Sequence, residues 1–305
     1  MVQLIKLQDY VSRYEMGIYQ YPSQFIRLKK EKWSKMQQMF EQGLWETDRE
    51  EPVEIEPIPT KGISQFFKKN KSVETDDKKV QEVEKMDIPK TVDELKHHFL
   101  DGLFPFQLKW ATTTLREKSF VDDYYRHDDK LTRLLQRIPD TYFLMYHPIV
   151  ELRKAKMEAE TILIGPSGIE IIHELNFPAG TRIHPTSEKS WYAEHEGKSS
   201  RFLTPIITLK RTESYVKSVL GSYQLDFPYR LVILAPELTI QGASSRFQTD
   251  YIDRERYEGW LQEKRKISSP LKHTQLKAAE ALLKHCQTTS VRRPEWDMEK
   301  EIMEE

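Results

Sequence analysis

The sequence has one cysteine, almost no net charge and no long hydrophobic run. Cys286 is the only cysteine among 305 residues, which excludes a disulfide framework and a cysteine-rich zinc site. Lysine and arginine number 47 against 48 aspartates and glutamates, so a formal net charge of -1 creates no overall field that would attract nucleic acid or anionic lipid. No segment approaches the roughly 20 apolar residues of a membrane helix, and the first residues lack the apolar core of a secretory signal. These absences predict a soluble cytoplasmic protein without membrane contact.

The residues that are present predict four parts of different character. Hydrophobic residues make up 38% of the chain, which is enough for a core, while charged residues reach 31%, above the usual share of about a quarter. Residues 49–90 are rich in proline, glutamate and lysine and predict a charged, flexible linker. Apolar residues at helical spacing before it predict a helical module over 1–48. Behind the linker we expect an α/β domain over 91–243 and a helical extension over 244–305.

One short peptide stands out within the predicted linker. Residues 60–69 contain Ile63, Phe66 and Phe67, the only apolar cluster in a polar tract. The spacing resembles that of sliding-clamp-binding peptides, although Thr60 stands where those peptides have glutamine. It therefore predicts a docking peptide for a protein partner. The alternative is that these three side chains pack back on their own domain as one helical turn.

Local signals in the third part predict a mixed sheet flanked by helices. Thr91 and Glu94 have the spacing of a capping box at a helix start. Apolar runs at 141–146, 161–164 and 169–175 predict strands, and the last two flank Gly165-Pro166-Ser167-Gly168, a turn sequence that predicts a hairpin. A helix beginning near 204–205 and a buried strand at 230–235 follow. The fold class is therefore α/β or α+β, with helical additions at both ends.

The register of this hairpin decides which carboxylates share a face. Alternation along the second strand places Glu174 with Asn176 and places His173 on the opposite face, where it is expected to be a satisfied structural histidine. A three-residue loop would set Glu160 across from Glu174, whereas a four-residue loop would separate the two. In the first register two carboxylates can hold one divalent cation, which activates water and clamps a phosphate. We expect the three-residue loop and therefore a shared site.

Several short motifs occur in a fixed order around this hairpin. An acidic residue, Asp128, opens a helix; Glu160 leads a strand into a Gly-x-x-Gly turn; and the next strand carries Glu174-x-Asn176, followed by Gly180. Over roughly residues 120–242 this order resembles the nuclease-related domain (NERD), a branch of the PD-(D/E)xK nuclease fold.

The resemblance implies a nuclease-like function and names its residues. It implies Mg²⁺-dependent hydrolysis of phosphodiesters in DNA or RNA, with Glu160 and Glu174 as metal ligands and Asp128 beside them. Asn176 falls on the motif lysine, where it can position water but supplies no cation. In an active enzyme the missing charge would have to come from another residue, namely Lys189, Lys210 or Arg211. The alternative is a non-catalytic scaffold that retains the nuclease fold and serves as an interaction protein.

Overall fold

The structure is a computed structural model that describes six stretches of the chain. These are residues 1–43, 89–152, 155–187, 189–242, 248–267 and 269–293. The predicted docking peptide at 60–69, with Ile63, Phe66 and Phe67, lies outside the described residues, as does nearly all of the predicted linker. None of the described helices is both long enough and apolar enough to cross a membrane.

The described residues form two units, each compact by itself. The larger unit contains Met1–Lys30 and Leu100–Glu305, and the smaller contains Glu31–Phe99. The helices are α1 Arg13–Gly17, α2 Tyr21–Glu41, α3 Val92–Trp110, α4 Asp129–Arg137, α5 Ile206–Ser222, α6 Tyr257–Lys266 and α7 His273–Lys284. The strands are β1 Gln3–Leu7, β2 Glu117–Lys118, β3 Phe143–Tyr146, β4 Ile149–Leu152, β5 Ala155–Glu158, β6 Thr161–Gly165, β7 Gly168–Glu174, β8 Arg182–His184, β9 Ser190–His195, β10 Lys198–Leu203, β11 Tyr229–Leu234, β12 Thr239–Ile240, β13 Thr249–Ile252 and β14 Val291–Arg292.

A six-stranded mixed sheet is the centre of the larger unit. Its strand order is β1-β3-β6-β7-β11-β13. Strands β3, β6 and β7 form an antiparallel meander, and β11 lies parallel to β7 after the crossover through α5. Helices α5 and α7 pack on one face, where the Tyr215 hydroxyl donates to the carbonyl of Leu282 at 2.9 Å. Helices α4 and α6 lie on the other face. The predicted mixed sheet flanked by helices is confirmed.

The chain ends of the larger unit differ from their predictions. The predicted helical module over 1–48 is wrong at its start, because Gln3–Leu7 is a strand that pairs in parallel with β3. All five residues of β1 are buried, but two of them, Gln3 and Lys6, are polar. The strand therefore lacks the continuous apolar run typical of a strand buried on both faces, and its leucines fit a helical spacing. The predicted helical extension over 244–305 also contains β13, the sixth strand of the sheet, which is only four residues long.

A second sheet, which the sequence did not reveal, is formed by three strands between β7 and α5 and by β12, which follows β11. Its strand order is β10-β9-β8-β12. Trp191 on its inner side is fully buried, and its ring lies 5.9 Å from that of Tyr251 on β13. Phe202, directly across from Trp191 on β10, packs on the same side. One face of this sheet therefore rests on the core and the other is exposed.

The smaller unit confirms the predicted helix start. The Glu94 N–H donates to Thr91 Oγ1 at 3.2 Å, and the Glu94 carboxylate accepts from the Lys90 N–H at 2.7 Å. These bonds satisfy backbone donors that have no partner inside the first turn of α3.

Candidate active site

The pairing of β6 with β7 separates the two predicted metal ligands. Thr161 pairs with Ile172 and Gly165 pairs with Gly168, so the loop has only two residues, Pro166 and Ser167. The pair before Thr161 and Ile172 is Glu160 with His173. The prediction that Glu160 and Glu174 share one face is therefore wrong, because the loop is one residue shorter than we expected and each residue of register reverses the face.

Gly168 allows this short loop. Its φ is +157°, and a Cβ added there would lie 2.7 Å from the backbone oxygen of Pro228. Pro166 adds a fixed φ at the first loop position. The turn therefore closes at Gly168, and the pairing of Gly165 with Gly168 sets the register of the other pairs in the hairpin.

Glu160 and His173 form a hydrogen-bonded pair on the face that α5 covers. His173 Nδ1 lies 2.9 Å from Glu160 Oε1. Helix α5 supports the pair, because the Glu160 N–H donates to Thr212 Oγ1 at 2.9 Å and Thr208 Oγ1 lies 3.5 Å from His173 Nδ1. The Glu160 side chain is 11% exposed and that of His173 is 28% exposed. The carboxylate is thus held inside while the imidazole reaches solvent.

Electrostatics keep Glu160 ionised at this position. Burial alone would raise its pKa, but the hydrogen bond from His173, the charge of that imidazole, the Thr208 hydroxyl and the charge of His147 together hold the pKa below its ordinary value. An ionised carboxylate accepts, so the Nδ1 nitrogen of His173 must carry the proton. In a neutral ring the lone pair then lies on Nε2. That atom is able to take a proton from water or an alcohol.

The α4 face holds the other predicted residues in a separate cleft. Glu174 forms an ion pair with Arg133 of α4, and Asn176 and Lys130 line the same cavity of about 140 Å³. Burial raises the pKa of Glu174 although Arg133 and Lys130 act to lower it. Among the described residues no partner reaches Glu174 Oε2, whose surface is buried. The carboxylates of Asp129 and Glu237 also line this cleft, but Glu160, the predicted second metal ligand, does not.

Asp128 has a structural role. Its Oδ1 accepts from the N–H groups of Lys130 and Leu131 at 2.9 and 3.1 Å, and its Oδ2 accepts from the Tyr146 hydroxyl at 2.8 Å. The residue is 4% exposed. Oδ1 thus caps the first turn of α4, as an N-cap residue does, and Oδ2 joins this helix to β3.

The cations beside Glu174 come from α4, a helix whose start at Asp128 was predicted but whose cations were not considered. Lys210 is half-buried and pairs with Glu213 on α5, while Lys189 and Arg211 are exposed. Lys130 and Arg133 instead approach Glu174, because both lie in the first turns of α4 and are three residues apart. In the sequence, Asp128 marks the start of this helix, and this start was the signal from which its two cations could have been found.

The register also changes how the nuclease-related motif maps on this chain. A metal-binding acid at Glu160 needs its partner on the same face, and the residues of β7 and its continuation on that face are His173 and Leu175. On that face the expected motif glutamate would fall on His173 and the expected motif lysine on Leu175, which is 6% exposed. Neither is a carboxylate or a cation of fixed charge, so the residues present do not fit the implied Mg²⁺ site. Within the described stretches no group of three or more histidine, cysteine, aspartate or glutamate side chains could hold a metal ion.

Comparisons with known proteins give a partial likeness to a curated enzyme. No family model matches the chain, and no solved structure matches it. The chain is 33% identical over 119 residues to an RNA 2',3'-cyclic phosphodiesterase from Geobacillus stearothermophilus. That match covers 35% of this chain and 36% of the relative, so the chain spans about a third of the curated relative it matches.

Proposed function

We propose that this protein is a phosphodiesterase that acts on RNA, with His173 as its proton-transfer residue and Glu160 as the residue that positions it. The observation that carries the proposal is the 2.9 Å contact between His173 Nδ1 and Glu160 Oε1. A buried carboxylate that orients an exposed imidazole is the arrangement that general acid–base catalysis uses. The partial likeness to an RNA 2',3'-cyclic phosphodiesterase supports the substrate class.

The proposed reaction is the opening of a cyclic phosphate at an RNA end. His173 Nε2 takes a proton from water, and the water oxygen forms a bond to phosphorus. The bond from phosphorus to one ribose oxygen breaks, and that oxygen receives the proton that the His173 imidazolium gives back, directly or through a water molecule. The product is a phosphate monoester beside a free hydroxyl. Glu160 stabilises the imidazolium that forms during this step, because its charge lies within hydrogen-bond distance of the ring.

The nuclease-related fold remains part of the proposal. It is supported by the adjacent motif strands β6 and β7 and by the crossover through α5 to a parallel strand. In this proposal the core keeps the PD-(D/E)xK type of architecture while acid–base chemistry replaces the two-carboxylate ion site at Glu160.

A rate measurement on the full chain tests this function. The substrate is a short oligoribonucleotide that ends in a 2',3'-cyclic phosphate, incubated in EDTA and in Mg²⁺, and products are separated by chromatography. We expect His173→Gln to lower the rate by about 100-fold or more, the range of one lost proton-transfer group. Glu174→Gln, on the other face of the same strand, is the matched control and should retain the rate. A His173→Gln variant with the wild-type rate would refute the proposed site.

Leu175 favours a second candidate, the non-catalytic scaffold. It places a buried apolar side chain where the nuclease-like motif has its lysine, so charge stabilisation at a reacting phosphate is weak on this face. If the wild-type chain binds RNA and releases no product under either condition, the scaffold is the correct function.

A further inference from the structure

The exposed face of the second sheet carries a row of three side chains on adjacent strands. Tyr192 on β9 lies directly across from Arg201 on β10 and directly across from His184 on β8. Side chains directly opposite each other in antiparallel strands have Cβ atoms about 4.5–5.5 Å apart. An aromatic ring is therefore flanked by a guanidinium on one side and an imidazole on the other.

The central ring is available for stacking. Tyr192 is 39% exposed, and the structure shows no ring or hydrogen-bond partner for it among the described residues. Residues on either side of it in the strand, Trp191 and Ala193, are buried against the core and hold the backbone in place. An exposed flat ring on a firmly packed strand has little side-chain entropy to lose when a planar ligand covers it.

The charges on this face favour an anionic ligand. Arg182 stands across from Glu194 in the next row, and both Arg182 and Arg201 are exposed. Glu194 Oε2 lies 3.3 Å from His184 Nε2, so the one carboxylate of these two rows faces an imidazole. Arg201 Nε donates to Ser190 Oγ at 2.9 Å, which leaves its terminal nitrogens for a phosphate.

This face is also connected to the proposed catalytic pair. Strand β10 ends at Leu203 and α5 begins at Ile206, and Thr208 in the first turn of α5 lies 3.5 Å from His173 Nδ1. Only six residues, 202–207, lie between Arg201 and Thr208. The strand that carries Arg201 therefore leads directly into the helix that supports His173.

We infer that the Arg201, Tyr192 and His184 row binds single-stranded RNA, with one base stacked on Tyr192 and an adjacent phosphate on Arg201. Aromatic rings on open sheets stack on unpaired bases, and arginines beside them bind the backbone. The choice of RNA as the ligand rests on the proposed function, whereas the row itself rests on the geometry of the sheet. A duplex hides its base faces, so we expect it to bind more weakly than a single strand.

Fluorescence anisotropy of a labelled 12-nucleotide single-stranded RNA tests the inference with the full chain. Tyr192→Ala should raise the Kd by between about 5-fold and 100-fold, the range of one lost base stack. Tyr192→Phe keeps the ring and should bind like the wild type. Arg201→Ala should lower the slope of log Kd against log salt by about 1, because one phosphate contact is lost. Tyr223→Ala, another exposed tyrosine but at the end of α5, is the matched control.

The outcomes separate this inference from the proposed catalysis. Binding that depends on Tyr192 in a chain without hydrolytic activity would support the RNA surface and refute only the phosphodiesterase. Hydrolysis that depends on His173, together with RNA affinity that Tyr192→Ala leaves unchanged, would refute the RNA surface alone. Absence of any RNA binding by the folded wild type, or a duplex bound as tightly as the single strand, would also overturn the inference.

Discussion

At the scale of single residues, two glutamates of one hairpin have pKa values shifted in opposite directions because they face different helices. Glu160 on the α5 side has a lowered pKa owing to His173, and Glu174 on the α4 side has a raised pKa owing to burial. Both are glutamates within the same hairpin, so composition alone could not distinguish them. The difference arises from what each face of the sheet packs against.

The pH dependence of stability should have opposite signs at these two glutamates. The pKa of Glu160 is lowered in the folded state, so its ionisation stabilises the fold above pH 4.5 and this contribution is lost on acidification. The free energy of unfolding of the wild type relative to Glu160→Gln should therefore fall as the pH drops below about 4.5. A raised pKa acts in the opposite direction, so the wild type should lose stability relative to Glu174→Gln as the pH rises through that range. Urea denaturation between pH 3 and 7 measures both. Parallel curves for the two variants would contradict this assignment.

At the scale of secondary structure elements, local signals were sufficient for some features and not for others. The hairpin, α5 and β11 were predicted correctly, because glycine, proline and apolar runs act over a few neighbouring residues. β1 was not recognised, because its place depends on pairing with a strand far along the chain. The site was assigned to the wrong pair of residues because the hairpin loop has two residues instead of the expected three, and the turn sequence is compatible with either length. His173 was consequently interpreted as structural although it lies beside Glu160.

The hairpin register depends on Gly168, and its substitution should be costly. We expect Gly168→Ala to lower the free energy of unfolding by about 1–3 kcal/mol, because alanine is strained at this φ and its Cβ would contact Pro228. Gly221→Ala in α5, where a Cβ meets nothing within 4 Å, is the control and should stabilise by about 0.4–1 kcal/mol. Chemical denaturation compares them. Equal stability of the two variants would show that the turn is not closed at Gly168.

The observed register also predicts which substitutions would rebuild the nuclease-like motif on the face of Glu160. The double variant His173→Glu and Leu175→Lys places a carboxylate and a cation on the face of Glu160, so we expect it to gain Mg²⁺-dependent cleavage of DNA or RNA. Asn176→Lys introduces the same charge on the α4 face and should gain none. A plasmid and an oligoribonucleotide serve as substrates, and circular dichroism confirms folding. Cleavage by the Asn176→Lys variant alone would reverse the placement of the motif.

At the scale of the whole molecule, the first and last described segments are joined by backbone hydrogen bonds, although β14 pairs with β2 in a separate two-stranded sheet. β1 pairs with β3, and the Thr289 N–H donates to the Asp9 carbonyl at 2.7 Å. The predicted independent domain beginning at residue 91 would lack β1. A fragment of residues 89–305 should therefore be unstable, because it exposes the apolar edge of β3. Coexpression with residues 1–43 should restore soluble protein, as judged by yield and thermal melting. A stable fragment without its partner would contradict this role of β1.

The pairing of β1 with β3 has a consequence for synthesis on the ribosome. Gln3 pairs with Phe143, so the partner of the first strand appears only after 140 further residues. At roughly 5–20 residues per second, this interval lasts about 7–28 s. Throughout this interval β1, with its apolar residues Leu4, Ile5 and Leu7, has no strand to pair with, and the long loop that must close adds to the folding barrier. The nascent chain thus has a period in which a holding chaperone, bound near Leu4 and Leu7, would raise the yield of the native sheet.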